Sequence, residues 1–310
     1  MSFDIAIATA FVVAIVTAAT PLLFAALGEL VTEKSGVLNL GVEGMMLVGA
    51  VAGFAATVAS GNYLLGILAA AAAGALMALL FAVLTLHLLA NQVATGLALT
   101  LFGIGLSALI GRSYVGMPLE RLPQLAIPGL SDIPFLGPVL FGHDLLVYLG
   151  LALVPGIAWF LNRTRPGLVL RAVGENHDAA HAIGYPVRRI RYLATVFGGA
   201  LCGLGGAYLS LAYTPMWAEA MTSGRGWIAL ALVVFATWKP WWVLAGAYLF
   251  GGMTIGQLHG QGMGLPVPPE VMNMLPYLAT ILVLVLISRD ATRIRLNAPA
   301  CIGKVFHPDA

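Results

Sequence analysis

Apolar residues in this chain come in long runs, and a run of about 20 apolar residues is what a helix needs to cross the hydrocarbon core of a bilayer. Candidate segments lie at about Ile5–Leu27, Val37–Ala59, Tyr63–Leu89, Val93–Ile110, Asp144–Leu161, Leu193–Tyr213, Trp227–Trp238, Val243–Leu258 and Met272–Ser288. The seventh and eighth are short. The Lys239-Pro240 pair between them suggests half-helices or one re-entrant hairpin, because proline frees a backbone carbonyl that lipid cannot satisfy. The expected fold is an all-α, polytopic transmembrane helical bundle of about 8–10 spans.

Composition points the same way. Of 310 residues, 60% are hydrophobic and 9% charged, with a mean hydropathy of +0.95. Soluble domains carry about a quarter charged residues, so a soluble enzyme, a disordered chain and a disulfide scaffold are excluded. The two cysteines, Cys202 and Cys301, lie far apart in unlike surroundings and read as inert thiols. A net charge of +2 is too small to suggest nucleic acid. The first apolar run follows an acidic Met-Ser-Phe-Asp and is too long for a cleaved signal peptide.

Charge placement predicts orientation. Arg163, Arg165, Arg171, Arg188, Arg189 and Arg191 lie between the fifth and sixth runs, and Arg289, Arg293, Arg295 and Lys304 follow the last. With Lys34 and Lys239 this puts twelve of the fifteen basic residues on one side, leaving Arg112, Arg121 and Arg225 on the other. The positive-inside rule then predicts an outer N-terminus and a cytoplasmic C-terminus. The whole chain, 1–310, reads as one transmembrane domain. Its parts are a proline-rich, mostly non-helical outer loop over 111–143, a charged inner helix–turn–helix over 162–192 and a cytoplasmic tail over 289–310.

Catalytic motifs are missing. No G-x-x-x-x-G-K-[ST] phosphate loop occurs, and the six histidines form no tight ligand cluster, so neither an ATPase, a metal site nor a cofactor is expected. His177 and His181 share a spacing of four, without a nearby cysteine. Glu43 is the one carboxylate placed well inside a span, with Glu29 and Glu33 near a membrane surface. Ion-coupled carriers bury more ionisable groups than that, so the driving energy is expected from another subunit. Gly49-x-x-x-Gly53, Gly199-x-x-x-Gly203 and the ladder Gly252, Gly256, Gly260, Gly264 are read as tight helix packing. Trp217, Trp227, Trp238, Trp241 and Trp242 are read mostly as an interfacial belt.

Two stretches go further. One is Thr20-Pro21 through Gly28-Glu29, followed by Glu33-Lys34 and then SGVLNLGVEGMM over 35–46. The other is Arg171-Ala172-Val173-Gly174-Glu175-Asn176, then Asp178-Ala179-Ala180-His181-Ala182-Ile183-Gly184. From about Pro21 to Arg289 the chain resembles the permease subunits of bacterial ABC importers. Within these it is similar to the ribose-type and branched-chain amino-acid-type permeases. SGVLNLGVEGMM is most similar to the branch serving nucleosides, whose binding proteins are basic-membrane-protein-type lipoproteins. Simple sugars or branched-chain amino acids are the alternative cargo, and a self-sufficient channel or carrier is the rival class.

The resemblance implies a multi-pass inner-membrane permease working by alternating access. Its partners would be a cytoplasmic ABC ATPase, a second homologous permease, an extracytoplasmic binding lipoprotein and membrane lipid. It also implies an ATPase-coupling element, carried here by Arg171, Glu175, Asp178, Ala179, Ala180 and Gly184, in which Asp178 stands where the family's EAA…G pattern has Glu. Gly184 suits the residue just past a helix end, and Pro186 enforces the stop.

Polar groups at lipid depth mark the candidate solute path. Asn39 and Glu43 are read as one helix face, and Asn91, Gln92 and Thr95 as the opening of the fourth span, with Asn91 and Thr95 four apart.

Overall fold

The computed structural model describes residues 2–125, 129–131, 133–263, 268, 271–272, 274–275, 278–279, 281–282, 285 and 297–307. The Met272–Ser288 run therefore lies largely outside the described residues, as do Arg289, Arg293 and Arg295.

Helices α1 (Ser2–Lys34), α2 (Val42–Ser60), α3 (Tyr63–Ala82), α4 (Gln92–Gly111), α6 (Leu145–Arg163) and α9 (Val187–Tyr208) form an all-α bundle. Single π-turns at Val83–His87 and Leu209–Tyr213 extend α3 and α9. Among the described residues these six helices are long and apolar enough to cross a membrane. Helix α11 (Pro240–Gly262) has 23 residues, a spanning length without the apolar content of the six, while α10 (Arg225–Phe235) has only 11. At 1.5 Å per residue α10 covers about 16 Å, half of a ~30 Å hydrocarbon core. Of the short seventh and eighth runs, one is thus a half-helix and the other full length. Between them, Thr237 and Trp238 hold positive φ and Pro240 opens α11 at its first position.

The long basic-rich connection holds α7 (Arg165–Glu175) and α8 (His177–Ala182), and the described part of the proline-rich connection holds a 3-10 turn (Arg112–Tyr114) and the short α5 (Leu136–Phe141). One end of the bundle, here the basic end, collects Lys34, α7, α8 and residues 297–307. The first residues of α1 and the α2–α3 turn, where Tyr63 donates to the Glu120 carbonyl, mark the opposite end with residues 112–125.

Helix α9 is the hub, and glycines let its neighbours touch its backbone. A Cβ on Gly49 would stand 2.6 Å from the Gly203 carbonyl oxygen, and one on Gly28 2.6 Å from that of Gly198. Gly74 of α3 meets Gly199 and Gly203 in the same way. The first two GxxxG spacings are therefore packing motifs, as expected. The third is looser: Gly251 abuts the α1 backbone, Gly252 reaches only the Ile15 side chain at 3.7 Å, Gly256 faces open space, Gly260 is buried, and Gly264 lies outside the described residues.

The tryptophans divide. Trp227, Trp241 and Trp242 are exposed, as a belt requires, but Trp217 and Trp238 are buried. Trp217 packs against Gly111, where any side chain would collide with its indole. Cys202 and Cys301 are both free and buried.

Candidate functional site

The centre of the bundle is built on a chain reversal. After α1 ends, residues 35–41 leave helical geometry and fold back beside its last turns before α2 begins. Glu29 accepts from the Asn39 backbone N–H at 3.1 Å, and Gln92 Oε1 accepts from that of Leu38 at 2.8 Å. Asn39 Oδ1 accepts from Gly41 N–H at 2.9 Å, a side-chain-closed turn, and Thr100 donates to the Leu40 carbonyl. Unwound backbone at membrane depth is tolerated only when protein satisfies it, and these four side chains do so. Gly96 and Gly103 of α4 give the room, lying against Leu40 and Gly44. Because Gly44 meets the middle of α4, α2 starts about halfway through the bundle.

Glu43, in the first turn of α2, faces the start of the half-helix α10. Its carboxylate accepts from Thr222 Oγ1 at 2.5 Å and from the backbone N–H groups of Gly224 at 2.9 Å and Gly226 at 2.6 Å. A helix N-terminus presents unpaired N–H groups and a partial positive charge, and a buried carboxylate answers both. At its other end α10 is tied to α1, where the Trp238 indole N–H donates to Glu33. Two carboxylates thus pin one half-helix at its two ends. Beside the first, half-buried Arg225 donates to the carbonyls of Met221 and Thr222 and lies over the Tyr213 ring at 5.5 Å.

The structure therefore sets Asn39 and Gln92 at the 35–41 turn and Glu43 at the start of α10, and corrects their geometry. Asn39 is not on a helix face with Glu43, since the turn it closes precedes α2. Asn91 is exposed and caps α4 by accepting from Ala94 N–H, while its carbonyl accepts the helical bond from Thr95 N–H one turn on. Thr95 is half-buried, next to the Gly96 that packs on Leu40. Arg225 is not a surface residue of the opposite end: it lies at the depth of Glu43. Sequence reasoning missed Glu29, Thr222, Arg225 and Trp238. The Thr222-Ser-Gly-Arg-Gly226 string, small and flexible ahead of an apolar run, was the one available signal of a helix start at depth.

At the basic end, α8 carries a Schellman closure. Tyr185 N–H donates to Ala180 C=O and Gly184 N–H to His181 C=O, with Gly184 at φ +93°. Asn176 caps the other end by accepting from Ala179 N–H. Asp178, Ala179 and Gly184 are exposed, as is Glu175, whereas Ala180 is buried beside Val173, Val187 and Phe306. Arg171 is half-buried on α7.

Residues 297–307 brace this region. Cys301 N–H donates to Gly174 C=O, and both His177 and His181 set their rings edge-on to Phe306. Arg191, 1% exposed, donates to Ser35 C=O, Lys304 C=O and His177 Nδ1. Burial, and then the Arg191 guanidinium, hold the His177 imidazole below its usual range, against the opposing pull of Asp178. The neutral ring is the folded form, so its stabilisation is complete above about pH 6.5 and is lost as pH falls below that. Thermal unfolding of detergent-solubilised protein is expected at lower temperature at pH 5 than at pH 7.5. A His177→Gln variant should flatten that difference, and an unchanged pH dependence would remove His177 as its source.

The sequence matches, over residues 11–284, the profile of the family described as branched-chain amino acid transport system / permease component. This chain belongs to that permease family. It is 42% identical to a Haloferax volcanii protein named "Putative glucose ABC transporter permease protein", over 95% of this chain and 96% of that one. It is 34% identical to a guanosine ABC transporter permease protein of Bacillus subtilis and 32% to a nucleoside ABC transporter permease protein of Lactococcus lactis, each over 86% of this chain and 88% of the relative. The permease is an ABC permease subunit and a multi-pass protein of the inner (plasma) membrane. Membership implies an ATPase and a solute-binding protein as its partners.

Proposed function

We propose that this permease carries a neutral, hydroxyl-rich solute, a nucleoside, inward by alternating access. The observation that carries this is how the charges at depth are used. Glu43 is bound by three donors, Glu33 by Trp238, Glu29 through Oε1 alone by the Asn39 backbone, and Arg225 by carbonyls and a ring. A zwitterionic amino acid would need free counter-charges there, whereas hydroxyls and base edges need amides and hydroxyls. Gln92 Nε2 is buried without a partner beside the 35–41 turn, and buried donors of that kind favour any conformation that pairs them. The guanosine and nucleoside permeases among the relatives support this cargo. The glucose permease supports a hexose as the second reading.

Uptake into proteoliposomes by the full assembly, with ATP, binding protein and labelled guanosine, tests the choice. Competition by other nucleosides and not by glucose is expected. Competition by glucose alone would move the cargo to hexoses, and competition by leucine alone would overturn both.

In this reading the basic end is cytoplasmic, a second homologous permease completes the pathway, and a lipoprotein delivers the solute. The surface offered to the ATPase is the exposed side of α8, with Asp178 and Ala179, flanked by Arg171, Glu175 and the Gly184 turn. Ala179→Trp is expected to cut ATP-driven uptake at least tenfold while leaving the thermal unfolding temperature unchanged, because Ala179 touches no core. Ala180→Trp should instead destabilise the loop itself, since Ala180 is 3% exposed. Unaltered transport in Ala179→Trp would place the ATPase contact elsewhere. Uptake by this chain alone in liposomes would favour a channel or carrier.

A further inference from the structure

An apolar groove of about 760 Å³ opens between α1, α6, α7 and α9 at the basic end. On α6 its walls run from Phe160 back to Leu153 and on α9 from Ile190 forward to Phe197, about 10 Å of depth on each helix at 1.5 Å per residue. Both stretches belong to membrane-spanning helices, so the groove descends from the membrane surface into the acyl-chain region. Its outer face is uncovered: Leu193 is 63% exposed, and a Cβ on Gly156 would meet nothing within 4 Å.

The mouth has a different chemistry. Arg165 lines it at the first turn of α7, and Tyr185 and Pro186 close the other side. Arg163 and Arg189, both exposed, flank the lining residues in sequence. No carboxylate lines the groove, and Glu175 and Asp178 lie at the far end of α7 and on α8. An apolar slot inside the bilayer with arginines at its surface end matches one kind of molecule, which has long apolar chains below and a negative phosphate above.

We propose that this groove is a binding site for an anionic phospholipid, with an acyl chain between α6 and α9 and the phosphate held by Arg165, supported by Arg163 and Arg189. The site lies apart from the half-helix and its carboxylates. An occupant there bridges α6 and α9 through α7, and so reaches the base of the connection that carries α8.

The test uses the full-length chain in mild detergent, titrated with phosphatidylglycerol or phosphatidylcholine of the same acyl composition and read by native mass spectrometry. Wild-type protein is expected to retain phosphatidylglycerol at least tenfold more strongly. Arg165→Gln, a change at an exposed side chain, should cut that preference about fivefold, the contribution of one arginine at an anionic surface. Gly156→Phe starts from a Cβ that meets nothing within 4 Å and projects its ring into the groove, so it should abolish retention of either lipid at an unchanged unfolding temperature. Equal retention of the two lipids by wild type would overturn the proposal. So would phosphatidylglycerol retention that survives both substitutions, or a dimer that Gly156→Phe disrupts while lipid retention persists.

Discussion

Replacing Gly49 with leucine is expected to leave no monodisperse protein after detergent extraction. The Cβ alone would stand 2.6 Å from the Gly203 carbonyl oxygen, and the obstacle is backbone, which cannot rotate aside as a side chain can. Helix α9 cannot retreat from α2, because Gly74 of α3 and Gly28 of α1 hold it as closely from other directions. Overpacking an ordinary core costs about 1–3 kcal/mol; separating a four-helix crossing exceeds that, and total stabilities are only about 5–15 kcal/mol. Gly105→Leu is the control. Gly105 is exposed on α4 with nothing within 4 Å of a Cβ, so that variant should elute and unfold as wild type does. Size-exclusion profiles of the two variants fused to a fluorescent reporter decide the matter. A sharp, normal Gly49→Leu peak would show that the helices do not meet as closely as described.

Glu43→Ala is expected to reduce solute uptake by the complete assembly more than tenfold and to lower stability by about 3 kcal/mol or more. The stability figure follows from leaving three donors unpaired in a dry interior, where each lost partner costs about 1–3 kcal/mol. The transport loss follows from the position of those donors, because two of them, the N–H groups of Gly224 and Gly226, begin α10. Without the carboxylate the start of the half-helix loses its side-chain anchor, and the Trp238–Glu33 bond to α1 remains at the other end. Glu43→Gln separates charge from shape. It keeps the side chain's size but turns an N–H₂ toward at least one donor, so it should be intermediate in unfolding temperature and still deficient in uptake. Normal uptake by Glu43→Ala, measured with labelled solute at matched protein levels, would show that α10 is not held through Glu43.

Membrane residence, helical architecture and family were legible in the residues, because they rest on local quantities. A run of about 20 apolar residues is long enough to span wherever it occurs, and SGVLNLGVEGMM is a contiguous string. The end of α8 was legible for the same reason. Gly184 and Pro186 specify a stop through φ and a missing N–H, whatever packs around them, and the Schellman bonds lie where the glycine predicts. The half-length of Trp227–Trp238 also showed as a short run.

The polar residues at depth could not be interpreted in that way. Asn39 and Glu43 are four apart, and spacing alone puts them on one helix face; in the fold one closes a turn and the other anchors a helix 180 residues later in the chain. Arg225 read as a surface charge because no local property tells an interfacial arginine from one lying over a ring beside a buried helix start. Trp217 and Trp238 read as belt residues because an indole suits an interface and a core equally well until its neighbours are known. Glycine spacing had the same ambiguity: Gly49 and Gly203 meet, while Gly256 faces open space.

The division has one physical source. Hydrophobicity, chain length, proline and glycine act on the segment that contains them, so the sequence by itself determined that this chain is a helical membrane permease and where its solvent-side helix α8 ends. A hydrogen bond buried in the bundle acts between segments far apart in the chain, and its partner is chosen by which helices the glycines let approach. Only the tertiary structure could decide that Glu43 belongs to α10, that Glu29 and Gln92 hold the broken start of α2, and that Arg165 borders an apolar groove between α6 and α9.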